Sequence, residues 1–338
     1  MARSKKKSEP VFKQLEIAPR KAKKEKDPKV GRIWVAATLL ATVGLSGIFW
    51  AIRALPTIDF KNLEIKKPSL SFKNTNLSFY SGKESISATR EKSVEDFLLI
   101  VNKHIEGKKG VWSVKVSEID GSFSAQVESE RKMAAASLIK LPVVASLYHQ
   151  VEAGNISLSD EYQIEEEDVR GGAGSLQYQP AGTMISLQDL AFYCLNQSDN
   201  TAFTMLRRIL GDDLVQKEID KLGMESTVLA DNTTSAKDID LFFQKLYRGQ
   251  ITKNYKDDFI KGLTKTAFET RIPAGIPEGV SVAHKVGTDT KVVSDAGIVI
   301  VPKKSFILTI LSEGVSSQEA DQIIVDLTRD IYWFIVSD

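Results

Sequence analysis

The chain has 338 residues, 42% hydrophobic and 26% charged, enough for one sizeable core plus appendages and too apolar for a disordered chain. Its formal net charge of +1 hides an asymmetry: residues 1–32 carry twelve Lys/Arg against four Asp/Glu, so the remainder is net acidic. A basic tail on an acidic body does not describe a nucleic-acid-binding domain; it fits a cytoplasmic flank followed by a separate soluble domain.

In chain order, residues 1–32 form the basic tail. Ile33 to Ile52, I-W-V-A-A-T-L-L-A-T-V-G-L-S-G-I-F-W-A-I, holds no charge over twenty residues. A helix of that length spans about 30 Å, the thickness of a bilayer's hydrocarbon core. Trp34 and Trp50 stand near its two ends, where amphipathic rings favour the interface. The expectation is a transmembrane helix over 33–55 that meets the lipid bilayer. Dense Lys/Arg before the run orient it with the N-terminus in the cytoplasm and the body outside the cell membrane. A cleaved signal peptide fits less well, because both the basic and the apolar stretches are too long and no A-x-A site follows.

Residues 56–92 are rich in Ser, Lys, Asn and Thr and read as a stalk, although pieces such as S-L-S-F-K would also suit an edge strand. The body, 93–338, opens with a helical pattern over Val94–His104. Two alternating runs then flank Asp120-Gly121, a hairpin signal. A long helical pattern runs from Ser137 to about Glu152, and further helices fill about 185–263. Strands return as V-S-V-A-H-K-V, A-G-I-V-I-V and S-F-I-L-T-I-L, before an amphipathic helix over Gln318–Ile335. This order predicts an α/β (α+β) fold: an antiparallel sheet built from both chain ends, flanked by helices, with an all-helical subdomain inserted.

The single cysteine, Cys194, lies in L-A-F-Y-C-L and reads as a small buried hydrophobe. The three histidines, His104, His149 and His284, are scattered, so no zinc site is expected, and no cofactor.

Three short motifs carry the chemistry. S-L-I-K, Ser137 to Lys140, places a hydroxyl and an amine one helical turn apart. Such a lysine takes the serine's proton only if burial or nearby cations lower its proton affinity. Alone the motif is weak: Ser4 to Lys7 repeats the spacing in the tail, and Ser137 would serve equally as an ordinary helix cap. S-D-N, Ser198 to Asn200, falls between helical segments and would suit a simple helix junction. K-V-G, Lys285 to Gly287, lies in a strand, where a lysine usually faces solvent and a glycine can mark a bulge.

Taken in order, S-x-x-K, S-D-N and K-x-G make the chain resemble class A β-lactamases and penicillin-binding proteins, the penicillin-recognising serine hydrolases. The surrounding text, A-A-A-S-L-I-K-L-P-V, N-Q-S-D-N-T-A and R-I-P-A-G-I-P-E-G-V-S-V-A-H-K-V-G-T, strengthens the likeness, which covers about residues 93–338. The resemblance implies that Ser137 attacks the carbonyl of a β-lactam or an acyl-D-Ala-D-Ala peptidoglycan peptide. It makes Lys140 the proton acceptor or relay and Ser198 the donor to the leaving nitrogen. Asn200 would bind the substrate's side-chain amide, Lys285 and Gly287 would form the carboxylate side of the cleft, and the N–H groups of Ser137 and Thr288 the oxyanion hole. Asp199 would hold its loop. A monomeric catalytic domain is expected.

Two departures limit that picture. Val286 stands where the family carries Thr or Ser, which would weaken carboxylate recognition or shift it to Thr288 and Thr290. The glutamate of an E-x-x-L-N loop, the base that activates the deacylating water in class A enzymes, has no counterpart between Asn200 and Lys285. Glu225 and Asp231 fall in that region but match no motif, and Glu165, Glu166 and Glu167 precede S-D-N and read as charged surface. The sequence therefore predicts acylation with slow release. A peptidoglycan D,D-peptidase and a non-catalytic wall-binding module on the same fold stand as alternatives.

Overall fold

The structure is a computed structural model and describes residues 92–337; the expected tail, transmembrane helix and most of the stalk lie outside the described residues. Among the described residues no helix is long and apolar enough to cross a membrane.

Helix α1, Val94–Ile105, starts where the sequence places it. The Ser93 side chain caps it by accepting from the Asp96 N–H at 3.0 Å, with acids in the first turn and Lys103 and His104 in the last. Strand β1, Val111–Glu118, and strand β2, Ser124–Val127, follow. The predicted hairpin forms, but residues 119–123 connect it rather than a two-residue turn; Asp120 accepts from the Ser122 N–H at 2.9 Å.

Among the described residues the main sheet has five antiparallel strands in the order β2-β1-β9-β8-β7, with β7 Ser281–Asp289, β8 Val292–Ile300 and β9 Phe306–Glu313. The first and last strands are neighbours, Val114 opposite Ile310, so both chain ends build one sheet as predicted. Strand β9 shows why its sequence is continuously apolar. Phe306, Leu308 and Ile310 enter the core under α1 and the last helix, α9 (Ser317–Val336), while Ile307 and Leu311 enter the core on the opposite face. Each such fully buried side chain contributes about 1.5–3 kcal/mol.

The second core belongs to the helical part, built around α2, Lys140–Glu152, whose residues from Lys140 to Tyr148 are all buried. Helices α3 (Leu187–Asn196), α4 (Asn200–Leu210) and α5 (Asp212–Lys221) pack on it. Helix α6, Ala236–Tyr247, lies across the sheet, and α7, Lys256–Gly262, and the short α8, Ile272–Gly275, lead back toward β7.

Two details correct the sequence reading. The inserted part is not purely helical: β4, Glu161–Gln163, pairs with β5, Met184–Ser186, and β3, Met133–Ala134, with β6, Thr233–Thr234. Ser137 does not begin an α-helix either. It sits in a 3-10 turn, Ala136–Ile139, whose preceding residue offers no side-chain cap. The backbone explains the difference, because Ala136 has φ +46°, a left-handed conformation that breaks any regular helix before Ser137.

Candidate active site

Three segments converge at the seam between the sheet and the helices: the turn before α2, the junction between α3 and α4, and strand β7. Alternation along β7 places Ala283, Lys285 and Gly287 on the face toward the helical core. Gly287 suits that position, since a Cβ would lie 3.0 Å from the Ala135 carbonyl and 3.3 Å from Leu138, closer than ordinary contact. It is a close-approach glycine rather than a bulge, and it lets the strand rest on the Ser137 turn.

Lys140 is the hub. Its Nζ lies 2.5 Å from the Ser198 carbonyl and 2.7 Å from Asn200 Oδ1, with Ser137 Oγ at 3.2 Å and Ser198 Oγ at 3.3 Å. The first two partners accept only, so they hold the amine in place. The two hydroxyls can donate or accept, and both are within reach of whatever proton or lone pair remains. Burial pulls the Lys140 ammonium below the usual lysine range, while Asp199 works in the opposite direction. The Phe203 ring, 5.6 Å from Nζ, also favours the cation. Ser137 itself is only half-buried, open to an incoming substrate.

The S-D-N segment is more than a helix junction. Asp199 caps α4 through the Ala202 N–H at 2.9 Å, as a junction would, but its other oxygen accepts from the Leu176 N–H at 2.8 Å. This fastens the loop 170–176 over the site and agrees with the structural role read for Asp199. Gly174, at φ +98°, is needed for that contact, because a Cβ there would run into Asp199. Asn200 Nδ2 donates to the Gly171 carbonyl at 2.9 Å. Ser198 has φ +53°, and Asn232, whose carbonyl accepts from the Ala135 N–H at 2.8 Å, has φ +52°. With Ala136, three non-glycine residues at this seam are left-handed, a conformation that costs about 1–3 kcal/mol each and tends to gather at functional sites.

Lys285 is not the solvated strand lysine that the type usually implies: it is 2% exposed, and among the described residues its Nζ donates only to the Val286 carbonyl, at 3.4 Å. Burial first, and then the Lys140 charge, push its ammonium down to about 7. That shift carries a stability consequence. The folded state resists a proton that the unfolded chain takes up readily below about 10.5, so the penalty is full below about pH 7 and fades toward pH 10.5. Lys285→Met is therefore expected to raise stability by a few kcal/mol at pH 6. In urea titrations the gain should shrink steadily as pH approaches 10; a gain independent of pH would contradict the assignment.

Thr288 is exposed at the rim, and β7 alternation turns it away from Lys285. Its Oγ1 accepts from Arg271 Nη2 at 2.9 Å. Arg271 is a residue that sequence reasoning quoted but gave no role. It is buried, donates Nη1 to the Ser294 and Gly287 carbonyls at 2.8 and 3.2 Å, and pairs with Asp321 at 2.7 Å. The signal was an arginine opening the otherwise apolar R-I-P-A-G-I-P.

The acids weighed as deacylating bases stay outside this cluster. Asp231 pairs with Lys132 at 3.7 Å and its side chain is 62% exposed; Glu225 is exposed. Glu165 pairs with Arg208 at 2.9 Å, and Glu166 and Glu167 are exposed, as the surface reading has it. No carboxylate among the described residues is hydrogen-bonded to Ser137 or to Lys140 Nζ. Cys194 is fully buried, and burial pushes its thiol up to about 11, in keeping with an inert core residue.

Comparison with known proteins places this geometry. The chain is 20% identical over 268 residues to the β-lactamase VEB-1 of Pseudomonas aeruginosa, covering 71% of this chain and 90% of that protein. Among solved structures it is similar to PBP-A, with a TM-score of 0.66, 25% identity, and coverage of 70% of this chain and 94% of that one. It is also similar to a β-lactamase from Sphaerobacter thermophilus, with a TM-score of 0.66, 26% identity, and coverage of 71% and 97%. The model of the β-lactamase enzyme family, Beta-lactamase2, matches residues 96–335, and the chain belongs to that family.

Proposed function

We propose that this protein is a penicillin-recognising acyl-serine enzyme in which Ser137 is acylated quickly and released slowly. The observation that carries this reading is Lys140, fixed by two acceptors while its amine reaches both Ser137 Oγ and Ser198 Oγ. In the neutral form, which burial favours, Lys140 takes the Ser137 proton as Oγ attacks the β-lactam carbonyl carbon. The Ser137 and Thr288 N–H groups receive the oxyanion. Collapse breaks the carbonyl–nitrogen bond, and Ser198 hands the nitrogen its proton while drawing from Lys140 the one it took from Ser137. Asn200 orients the substrate's amide, and Lys285, Thr288 and Arg271 attract its carboxylate. The ester then waits, because no carboxylate among the described residues is positioned beside Ser137 to prepare a water.

A D-alanyl-D-alanine peptidase is the second reading. The missing carboxylate favours it, as does likeness to PBP-A, a mutant of which is described as an acyl-enzyme complex with penicillin G. A wall-binding module without chemistry would have no use for a buried lysine held between two serines. Residues 33–55 would tether the enzyme to the cell membrane with its body outside. Detergent-dependent extraction, and digestion of the body by protease added to intact cells, would test that placement.

A fluorescent penicillin should label the protein at stoichiometric amounts while nitrocefin is turned over slowly. Rapid nitrocefin hydrolysis that is lost in Glu225→Gln or Asp231→Asn would identify a deacylating base and overturn slow release. Val286 is 5% exposed, with the Cβ direction of Thr288. Val286→Thr would restore a hydroxyl beside the carboxylate, so the half-saturating penicillin concentration should fall about two- to tenfold, the worth of one hydrogen bond. An unchanged value in acylation kinetics would mean that the carboxylate sits elsewhere.

A further inference from the structure

His284 lies beside Lys285 but on the opposite face of β7, fully buried. Its partner across the ladder is Gly297, where a Cβ would stand 2.6 Å from His284 Cβ, so the glycine lets the two strands approach closely at His284. Nδ1 is 2.9 and 3.1 Å from the two carboxylate oxygens of Asp295 on β8. Nε2 is 3.2 Å from Glu269 Oε1 and 3.1 Å from Thr266 Oγ1. Carboxylates only accept, so the ring can bond Asp295 and Glu269 together only as the imidazolium.

Both carboxylates also hold backbone. Asp295 Oδ2 accepts from the Ile272 N–H at 2.9 Å, and Glu269 Oε1 from the Thr266 N–H at 2.6 Å. The ring thus clamps both ends of the segment Thr266–Ile272, and Arg271, the residue that supports Thr288, lies inside it. Arg271 has φ −113° and ψ −109°, outside the commonly populated regions, so its backbone must be held by its surroundings. The other neighbours add no charge to the ring. The Leu263 carbonyl accepts from the His284 N–H, Asp257, Asp258 and Lys261 of α7 are exposed, Lys285 faces the opposite side, and Asp321 of α9 is taken by Arg271.

We propose that His284 is a positioning residue: its charged ring clamps Thr266–Ile272 to the sheet, so that Arg271 and Thr288 engage a substrate carboxylate well only while the clamp is closed. The proposal rests on the acyl-serine reading above. Burial works against the charged ring, but Asp295 and then Glu269 override it and hold the ring up at about 9. Loss of its proton turns Nε2 into an acceptor beside Glu269, and the single Thr266 hydroxyl proton can serve only one of the two, so Glu269 loses a donor and that side of the clamp loosens.

The test is acylation by a penicillin with a free carboxylate between pH 6 and 10, in the protein and in Glu269→Gln. Glu269 is the partly exposed end of the clamp, with 43% of its side chain accessible, so this variant should fold. The half-saturating concentration is expected to rise about tenfold through pH 9, and in E269Q the rise should begin about one pH unit lower. The maximal acylation rate should not share this inflection, and a penicillin methyl ester should not show it. Superimposable profiles for the two proteins, or the same inflection with the ester, would overturn the proposal. Failure of every penicillin to acylate Ser137 would instead sink the acyl-serine reading. The clamp is then judged by ring-labelled histidine NMR, resolvable with three histidines, and by amide exchange over Thr266–Ile272. A His284 midpoint that drops in E269Q, with exchange rising at the same pH, supports it; exchange indifferent to that midpoint overturns it.

Discussion

Ser137→Ala is expected to abolish covalent labelling by penicillin and to reduce any hydrolytic activity by about 10⁴-fold or more, to the level that binding alone sustains. The residue is half-buried on a 3-10 turn held between Ala136 in a left-handed conformation and the closely packed strand at Gly287. Removing one oxygen from a partly open position disturbs little packing, so Tm should move by no more than a few degrees. Loss of labelling with an unchanged melting curve separates a missing nucleophile from a damaged fold. Residual labelling at the original rate would place the nucleophile elsewhere.

Lys140→Ala is expected to slow acylation by about 10³-fold, within the range of one well-placed general base. The substitution also removes the donor that satisfies the Ser198 carbonyl and Asn200 Oδ1, so some loss of stability accompanies it. Lys140→Arg separates the two effects. A guanidinium can still donate to those acceptors, yet it does not give up its proton, so structure should be better preserved while acylation stays slow. Stopped-flow labelling of both variants across pH 6 to 10 is the measurement. Recovery of most of the rate in the arginine variant would argue that Lys140 anchors the site and does not move the proton.

Much of the fold was legible because its signals are local. Alternation in V-S-V-A-H-K-V, the short apolar run S-F-I-L-T-I-L, the Ser93 cap and the amphipathic stretch near Gln318–Ile335 each follow from neighbouring residues. The Ser-Lys, S-D-N and K-x-G spacings named the segments that meet at the seam. What stayed hidden depends on contacts across the chain. The left-handed Ala136 that turns the Ser137 region into a 3-10 turn has no mark in A-A-A-S, since alanine usually favours helix. The burial of Lys285 follows from Gly287 lying against Ala135 and Leu138, about 150 residues earlier. Arg271 and His284 were visible as letters, but their partners Thr288, Asp321, Glu269 and Asp295 sit on other elements. The residues before S-D-N read correctly as charged surface because surface charge needs no distant partner to explain it.

The structure places Lys140 Nζ within hydrogen-bond reach of Ser137 Oγ and Ser198 Oγ, with no carboxylate hydrogen-bonded to Ser137 or to Lys140 Nζ among the described residues. Slow release is therefore the feature on which the functional reading turns. Intact-mass spectrometry after a brief pulse of penicillin, followed by removal of free drug, measures it directly. The predicted result is one adduct of the whole penicillin mass, located on Ser137, that forms within seconds to minutes and persists for many times longer. A protein that never gains the mass, or one that sheds it as fast as it forms while consuming excess penicillin, would contradict the account.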